Sequence, residues 1–424
     1  MNIFKSFSVY LVATFLQGGI SFLVLPIFTF YLSISDFGIL SLITTLFVFI
    51  SPVITLGTTN AISIAYFNEN KQNYASYVTS SMLIPLILSV FLFLLCVIFG
   101  NYFSAILGVP TIWLMAIPVF SFLSIIHQII LIDYQVKEEP FNYGLFSISN
   151  TTLNIGLSLF LVIMLGMNYE GRLLGQYFSI LIFSIFALIL LNKRGVLTSK
   201  ISKKFLKDAL IFGLPIVPHI IGGMVINMSD KIFISQILGK GELGVYNMGY
   251  VIGATISMLS IAFANSIVPI SYSLFNKGDN LSKEKVVKIY WMFIIALALI
   301  VLLITILAPF IFDLFINKQF KKGVIYVKWI SLGYFFHGCY LLFVNIIYYV
   351  KKTNILFYWS IVNIVVNLLL NYLMINKYGA IGAAYTLCIS YFLFFLAMSI
   401  ISSKLYPLPW FYFLKKKLVN FREH

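Results

Sequence analysis

The chain has 424 residues, 61% of them hydrophobic and only 10% charged, with a formal net charge of +15. Because soluble domains are only about half apolar, this composition excludes a water-soluble fold and indicates an integral membrane protein. The positive charge is explained by membrane topology and by contact with anionic lipids, and it does not indicate nucleic-acid binding. The three cysteines show no CxxC spacing, so no zinc site or other metal site is predicted.

Apolar runs long enough to cross a bilayer recur from one end of the chain to the other. A helix needs about 20 apolar residues to span a hydrocarbon core of about 30 Å. The runs lack the strict alternation of barrel strands, so they predict an all-α integral membrane protein. We expect twelve transmembrane helices, at residues 7–31, 38–65, 77–99, 111–133, 143–165, 172–191, 210–238, 243–273, 288–312, 324–349, 354–376 and 379–402.

The positions of lysine and arginine predict the orientation of these spans. With the N-terminus inside, the predicted inner loops and the C-terminal tail receive most of the basic residues, and the outer loops receive few. Cytoplasmic loops collect lysine and arginine, so the pattern predicts a multi-pass protein with both termini cytoplasmic.

A basic loop at residues 192–208 divides the chain into two halves. We predict an N-terminal six-helix lobe, residues 1–200, and a C-terminal six-helix lobe with a basic cytoplasmic tail, residues 201–424. Two short patterns recur at nearly the same separation, and because both halves begin on the same side, they indicate a parallel pseudo-twofold repeat. The paired patterns are Leu32 to Ile39 with Leu238 to Val245, and Gly171 to Gly175 with Gly379 to Ala383.

Several stretches resemble one known family. The segment Leu25-Pro-Ile-Phe-Thr-Phe-Tyr-Leu-Ser-Ile-Ser-Asp-Phe-Gly-Ile-Leu40 resembles the opening of the Wzx-type polysaccharide (O-antigen or capsule repeat-unit) flippases, which belong to the multidrug/oligosaccharidyl-lipid/polysaccharide exporter (MOP) superfamily. In the second half, Gly213 to His219 and Asn227 to Ser235 resemble that family's seventh span. Tyr378 to Ala384 resembles the start of its last span.

This resemblance implies two lobes around a central cavity that opens to each side in turn. The cargo it implies is an undecaprenyl-diphosphate-linked oligosaccharide repeat unit, moved from the cytoplasmic to the outer leaflet of the bacterial inner membrane for O-antigen or capsule synthesis. Membrane lipids, the polysaccharide polymerase and the chain-length machinery are the further partners implied, and the flippase is expected to act as a monomer. The resemblance also implies arginine at position 231, where this chain has Lys231.

Two other functions stay open. An organic-cation antiporter of the same superfamily should carry several buried acids, and this chain has few at membrane depth. A membrane-embedded glycosyltransferase or polymerase should carry long outward loops, and the predicted outward loops are short. The chain contains no HExxH, GxxxxGK(S/T) or GxSxG motif, so we expect no enzyme activity and no cofactor. The energy source would be a proton or sodium gradient, a partner, or the downstream consumption of the cargo.

The seventh span carries the most prominent candidate residues. Pro215 and Pro218 remove backbone donors and should bend the helix, and His219 follows them near mid-depth. Asp230 lies eleven residues further on, on nearly the same face, and Asn227 is its neighbour one turn earlier. This stripe predicts a substrate-binding or ion-coupling site, or else a neutral histidine bonded to a neighbouring helix.

Cations within the spans are candidates for contact with a phosphate, because charged side chains facing lipid are expensive. Lys231 lies about 100° round the helix from Asp230, so the sequence does not establish that the two side chains face each other. Lys328 and His337, in the tenth span, lie on opposite faces of a regular helix, so at most one faces a cavity. Both lysines could instead extend to the outer interface.

The first half offers weaker candidates. His127 and Asp133 in the fourth span could form a proton or sodium station, or Asp133 could form an ordinary helix-end ion pair with Lys137. Pro26 is a predicted bend of the first span.

Overall fold

The computed structural model describes residues 16, 18–20, 23–214, 217–350, 352 and 354–410. All regular secondary structure in this part of the chain is helical. The helices are α1 (Gly18–Tyr31), α2 (Ile34–Thr55), α3 (Thr58–Asn68), α4 (Lys71–Leu107), α5 (Thr111–Val136), α6 (Pro140–Leu159), α7 (Tyr169–Lys193), α8 (Lys203–Gly213), α9 (Val217–Ile237), α10 (Lys240–Gly253), α11 (Thr255–Lys277), α12 (Asn280–Phe315), α13 (Val324–Tyr349), α14 (Asn354–Tyr378) and α15 (Ala380–Leu405). A π-helical turn, Phe160–Met164, extends α6, and a 3-10 turn, Lys318–Gly323, precedes α13.

Ten helical stretches among the described residues are long and apolar enough to cross a membrane. Together with α1 and the pair α8 and α9, they account for the twelve predicted spans. Large apolar side chains are exposed along these stretches, for example Leu299, Leu303 and Phe310 on α12. Such continuous apolar surface suits contact with lipid rather than water.

The second predicted span, residues 38–65, is two helices rather than one. Leu56 and Gly57 both have positive φ, at 43° and 71°, and so end α2 before α3 begins. Pro52 lies one turn earlier, where it removes a backbone donor. Hydropathy is high on both sides of the break, which is why the sequence pattern predicted one continuous helix.

The third and ninth spans are the longest helices and extend well beyond their predicted bounds. α4 has 37 residues and α12 has 36, whereas the sequence predicted spans at 77–99 and 288–312. Each starts at an equivalent cap, since the side chain of Asn70 accepts a hydrogen bond from the Asn73 N–H and that of Asp279 from the Ser282 N–H. Hydropathy detects only the apolar middle of such a helix, so the polar ends were missed.

The chain forms two compact units, Met1–Met224 with Gly239–Gly244, and Val225–Leu238 with Val245–His424. The first unit has a core in which Ile62, Val78, Ile129 and Leu191 are almost fully buried. In the second unit, α13 packs along α15, and Gly333 lies directly against the backbone of Cys388.

Two glycines allow a reciprocal close contact within the first unit. A Cβ added at Gly38 in α2 would overlap with the carbonyl oxygen of Lys240 at the start of α10. A Cβ added at Gly244 in α10 would overlap with the carbonyl oxygen of Ile34 at the start of α2. These are the glycines of the first repeated pattern, so the pattern marks a backbone-to-backbone packing site.

Candidate functional site

Three consecutive polar residues of α9 are buried in the second unit. Ser229, Asp230 and Lys231 belong to a helix whose successive side chains point about 100° apart. Only 2% of Asp230 and 7% of Lys231 is exposed. Charged side chains inside membrane-spanning helices are expensive and often functional, so we locate the candidate site here.

Neutral donors hold the carboxylate of Asp230. One of its oxygens accepts a hydrogen bond from the hydroxyl of Tyr246 in α10. The other accepts one from the backbone N–H of Lys231 at 2.8 Å. The negative charge is therefore stabilised by dipoles, and in the described part of the chain no cation forms an ion pair with it.

The ammonium group of Lys231 lies over an aromatic ring. Its Nζ atom is 4.2 Å from the centre of the Tyr250 ring, which is the geometry of a cation–π contact. No carboxylate in the described ranges forms an ion pair with Lys231. Asp230 and Lys231, adjacent in the chain, interact electrostatically but form no direct ion pair.

Tyrosine hydroxyls converge on Asn227. The hydroxyl of Tyr391 donates to the side-chain oxygen of Asn227 at 2.5 Å, and that of Tyr334 does so at 3.3 Å. The Tyr250 hydroxyl donates to the backbone carbonyl of Asn227 at 3.2 Å and lies 2.6 Å from the Tyr334 hydroxyl. We call the following residues the α9 cluster: Asn227, Asp230, Lys231, Tyr246, Tyr250, Tyr334 and Tyr391.

A second polar group adjoins the α9 cluster through Ser229. Ser229 donates to Asn367 of α14 at 3.0 Å, and the amide of Asn371 donates to Ser229 at 3.1 Å. Asn367 donates in turn to Ser390 of α15 at 3.1 Å. The side-chain oxygen of Asn371 is buried with no hydrogen-bond partner among the described residues. Three helices of the second unit, α9, α14 and α15, are thus joined by this buried hydrogen-bond network.

The structure brings together only some of the predicted residues of the second half. His219 and Pro218 lie in the first turn of α9, but their side chains are outside the described part, as is the whole of Pro215. His337 is partly buried, with its ring 4.8 Å from that of Tyr391. Lys328 is exposed and contacts Trp329, so it lies apart from the α9 cluster.

In the first unit, Asp133 is fully buried in an ion-pair group. It pairs with Lys137 and with Arg194, each at 2.6 Å, and Arg194 also pairs with Glu139 at 2.6 Å. The hydrogen bond from Arg194 lowers the pKa of the Glu139 carboxyl below its ordinary value. These contacts hold the ends of α5 and α7 beside the start of α6, in agreement with the ion-pair interpretation of Asp133.

The two other candidates of the first half lie elsewhere. His127 packs its ring against Phe146, with 5.3 Å between the ring centres, and its Nε2 atom has no partner among the described residues. Pro26 lies within α1, where its carbonyl accepts a hydrogen bond from the Thr29 hydroxyl at 2.6 Å.

Most of the groups that surround Asp230 and Lys231 could not be predicted from the sequence. Nothing in a single sequence says which tyrosines point inward. The asparagines carried a readable signal, because Asn363, Asn367 and Asn371 recur every fourth residue on α14 and all are buried. A polar stripe at helical spacing within an apolar run predicts an interior network.

Two family models match the chain. One described as "Polysaccharide biosynthesis protein" matches residues 3–275, and one described as "MatE" matches residues 215–373. A Haemophilus influenzae protein described as "Uncharacterized membrane protein" is 24% identical over 382 residues, which cover 87% of this chain and 89% of the relative.

Two solved structures show the fold. A multidrug resistance MATE family transporter of the MOP superfamily, in an inward-facing conformation, matches with a TM-score of 0.70 and 14% identity, over 94% of this chain and 95% of that chain. The lipid II flippase MurJ, in an inward closed conformation, matches with a TM-score of 0.74 and 15% identity, over 92% and 86% of the two chains. The predicted all-α, twelve-span membrane fold is therefore confirmed.

Proposed function

Because the chain belongs to the polysaccharide biosynthesis protein family of the MOP superfamily, we propose that it flips undecaprenyl-diphosphate-linked oligosaccharide repeat units. The cargo moves from the cytoplasmic to the outer leaflet by alternating access, as in the Wzx-type flippases, for the synthesis of O-antigen or capsule. The family match over residues 3–275 is the observation that carries this proposal.

The chemistry of the second unit supports an anionic cargo. A sugar with a diphosphate cannot shed its hydration in hydrocarbon, because each unpaired polar or charged group there costs several kcal/mol. The α9 cluster offers an ammonium group without an ion-pair partner, together with hydroxyl and amide groups. We propose that Lys231 contacts the diphosphate and that Asn227 and His219 line the same path. Lys328 would act at the outer headgroups.

We assign ion coupling first to Asp230. Its carboxylate has only neutral donors, so a proton or sodium ion could compensate its charge. Asp133 already has two cationic partners and has less need of a bound ion. His337 beside Tyr391 and His127 beside Phe146 are the remaining proton-binding candidates.

A deletion strain tests the proposed cargo. Loss of the gene should strand undecaprenyl-linked repeat units on the cytoplasmic leaflet and remove the surface polymer, and plasmid-borne wild-type protein should restore both. The matched control is the same strain with its priming glycosyltransferase removed, which should lack polymer without stranded repeat units. Normal polymer in a deletion strain that has no paralogue contradicts the proposal.

One observation favours a second candidate, an ion-coupled multidrug or organic-cation antiporter. The MatE model matches residues 215–373, which include α9 and most of the α9 cluster. An antiporter should extrude a cationic dye from proteoliposomes when an ion gradient is imposed, whereas a flippase should leave the dye inside. Dye efflux that depends on Asp230 would replace the first proposal.

We also propose the cellular setting. The protein would lie in the bacterial cytoplasmic membrane with both termini inside, and would act as a monomer whose lobes, residues 1–200 and 201–424, move against each other. The polysaccharide polymerase and chain-length machinery would receive its product. Crosslinking in membranes that contain these enzymes tests that contact.

A further inference from the structure

A pocket in the first unit contains an arginine and is otherwise apolar. It has a cavity volume of about 80 Å³ and lies among α1, α2, α6 and α7. Its apolar lining includes Val24, Leu25 and Phe28 of α1 and Leu40 of α2. The one charged side chain that lines it is Arg172, in the first turns of α7. Apolar packing alone does not account for a charged side chain in this lining.

The charge of Arg172 is not neutralised by any carboxylate in the described part of the chain. Its Nη1 atom donates to the side-chain oxygen of Asn154 at 2.6 Å and to the Ser158 hydroxyl at 2.8 Å. The guanidinium group also lies 5.3 Å from the centre of the Phe28 ring. All three partners are neutral, so they fix the position of the side chain and leave its positive charge in place.

The hydrogen-bonding pattern leaves one edge of the guanidinium group available. Both bonds use Nη1, and no described residue accepts a hydrogen bond from Nε or Nη2. These two nitrogens form the fork that binds two oxygens of a phosphate or carboxylate side by side. Asn154 and Ser158 therefore hold the guanidinium group with this fork unused.

We infer that this pocket binds the phosphate of an amphiphilic lipid, with Nε and Nη2 of Arg172 on the phosphate oxygens and the apolar lining against the start of the lipid chain. The shared chemistry is a phosphate ester that carries an apolar chain. Two sources fit it, a resident anionic phospholipid or the polyprenyl phosphate part of the cargo. Only the second source rests on the proposed flippase function.

Lipid binding to the purified full-length protein tests the inference. The probes are phosphatidylglycerol, undecaprenyl phosphate, zwitterionic phosphatidylcholine and inorganic phosphate, each titrated and followed by native mass spectrometry and thermal unfolding. Wild-type protein should bind one or both anionic lipids, and binding should weaken about tenfold or more in Arg172→Gln. Arg172→Lys should be intermediate, because it keeps the charge and loses the fork.

Two further variants test whether the effect is specific to Arg172 and whether it depends on the pocket. Lys377→Gln is the matched control, since it removes an exposed cation close to the start of α15, and it should bind as wild type does. Leu25→Trp fills the pocket without changing its charge and should also weaken binding, which covers the case in which Arg172→Gln fails to fold.

The four probes distinguish a resident phospholipid from the cargo. They also distinguish a failure of this inference from a failure of the proposed flippase function. Selective binding of undecaprenyl phosphate identifies the cargo, and equal or stronger binding of phosphatidylglycerol identifies a resident lipid. Anionic lipids that bind Arg172→Gln and Leu25→Trp as tightly as wild type would overturn the inference, as would an equal effect of inorganic phosphate alone. Because the assay measures binding, it can succeed even if the deletion strain shows that the protein is not a flippase.

Discussion

A buried cation lowers the stability of a folded protein, so its presence indicates that something outside the fold requires it. Lys231 has an aromatic ring beside its ammonium group and no described carboxylate partner. Replacing a buried ion pair by apolar residues of similar volume is often neutral or stabilising by about 1–4 kcal/mol, and an unpaired buried cation lacks even the attraction of an ion pair. Removing the charge of Lys231 should therefore reduce transport without reducing stability.

We expect Lys231→Met to reduce the flipping rate about tenfold or more while leaving the melting temperature unchanged or higher. The methionine fills similar volume and removes only the charge. Flipping of a lipid-linked oligosaccharide in proteoliposomes and thermal unfolding in detergent measure the two quantities. The matched control is Lys318→Met, an exposed position, where both should stay near wild type. A variant that is less stable and fully active would show that Lys231 serves the fold.

Glu139 should contribute a pH-dependent part of the stability. The Arg194 hydrogen bond depresses its pKa, so the stabilisation is present above the ordinary glutamate pKa of about 4.3 and is lost as the pH falls through the lower folded value. Since the pair is partly exposed, its contribution should be no more than about 1 kcal/mol.

The melting temperature of wild-type protein should thus fall more between about pH 5 and pH 3 than that of Glu139→Gln. Glu138→Gln, at the exposed neighbouring position, should behave as wild type does. Thermal unfolding at several pH values measures the difference. Identical pH profiles for wild type and Glu139→Gln would show that the ion pair between Glu139 and Arg194 does not stabilise the protein.

At the scale of elements, the contact between α2 and α10 depends on glycine for close approach. Alanine at Gly38 or Gly244 would place a methyl group on a backbone carbonyl of the opposite helix, and neither carbonyl can move as a side chain can. Overpacking of this kind costs about 1–3 kcal/mol, against a gain of up to about 1 kcal/mol in helix propensity.

Gly38→Ala and Gly244→Ala should therefore each lower the melting temperature. Gly156 in α6 is the matched control, because it is a helical glycine with no atom near its Cβ position. Gly156→Ala should be neutral or stabilising. If all three substitutions raise stability equally, the two helices do not approach as closely as described.

The same elements show what the sequence could and could not predict. Apolar length predicted the ten long apolar stretches, and the glycine patterns coincide with close packing at Gly38 and Gly244 and, in two separate contacts, at Gly175 and at Gly382. The break at Leu56 was missed because it depends on backbone conformation within an apolar run. Asn227 and Asp230 were predicted on one stripe and both lie in the α9 cluster, whereas Tyr334 and Tyr391 come from helices over 100 residues away in the chain.

At the scale of the whole molecule, corresponding long helices of the two halves have similar lengths and similar close contacts. α4 and α12 are 37 and 36 residues long with side-chain caps, and α7 and α15 are 25 and 26 residues long. Gly175 packs against Ser158 between α6 and α7, and Gly382 packs against Met374 between α14 and α15. A repeat of this kind, with both halves starting on one side, requires an even number of spans in each half.

That requirement can be tested by finding on which side of the membrane each end of one helix lies. α12 carries an exposed lysine at each end, Lys285 in its first turns and Lys321 just beyond its last turn. Introduced into a cysteine-free version, Lys285→Cys should react with a membrane-impermeant maleimide only after the cells are permeabilised, and Lys321→Cys should react in intact cells. The basic loops predict this orientation, because cytoplasmic loops collect lysine and arginine. The two positions are matched in residue type and exposure, so each is the control for the other. Reaction of both from the same side would mean that α12 does not cross the bilayer, and the twelve-span topology would have to be abandoned.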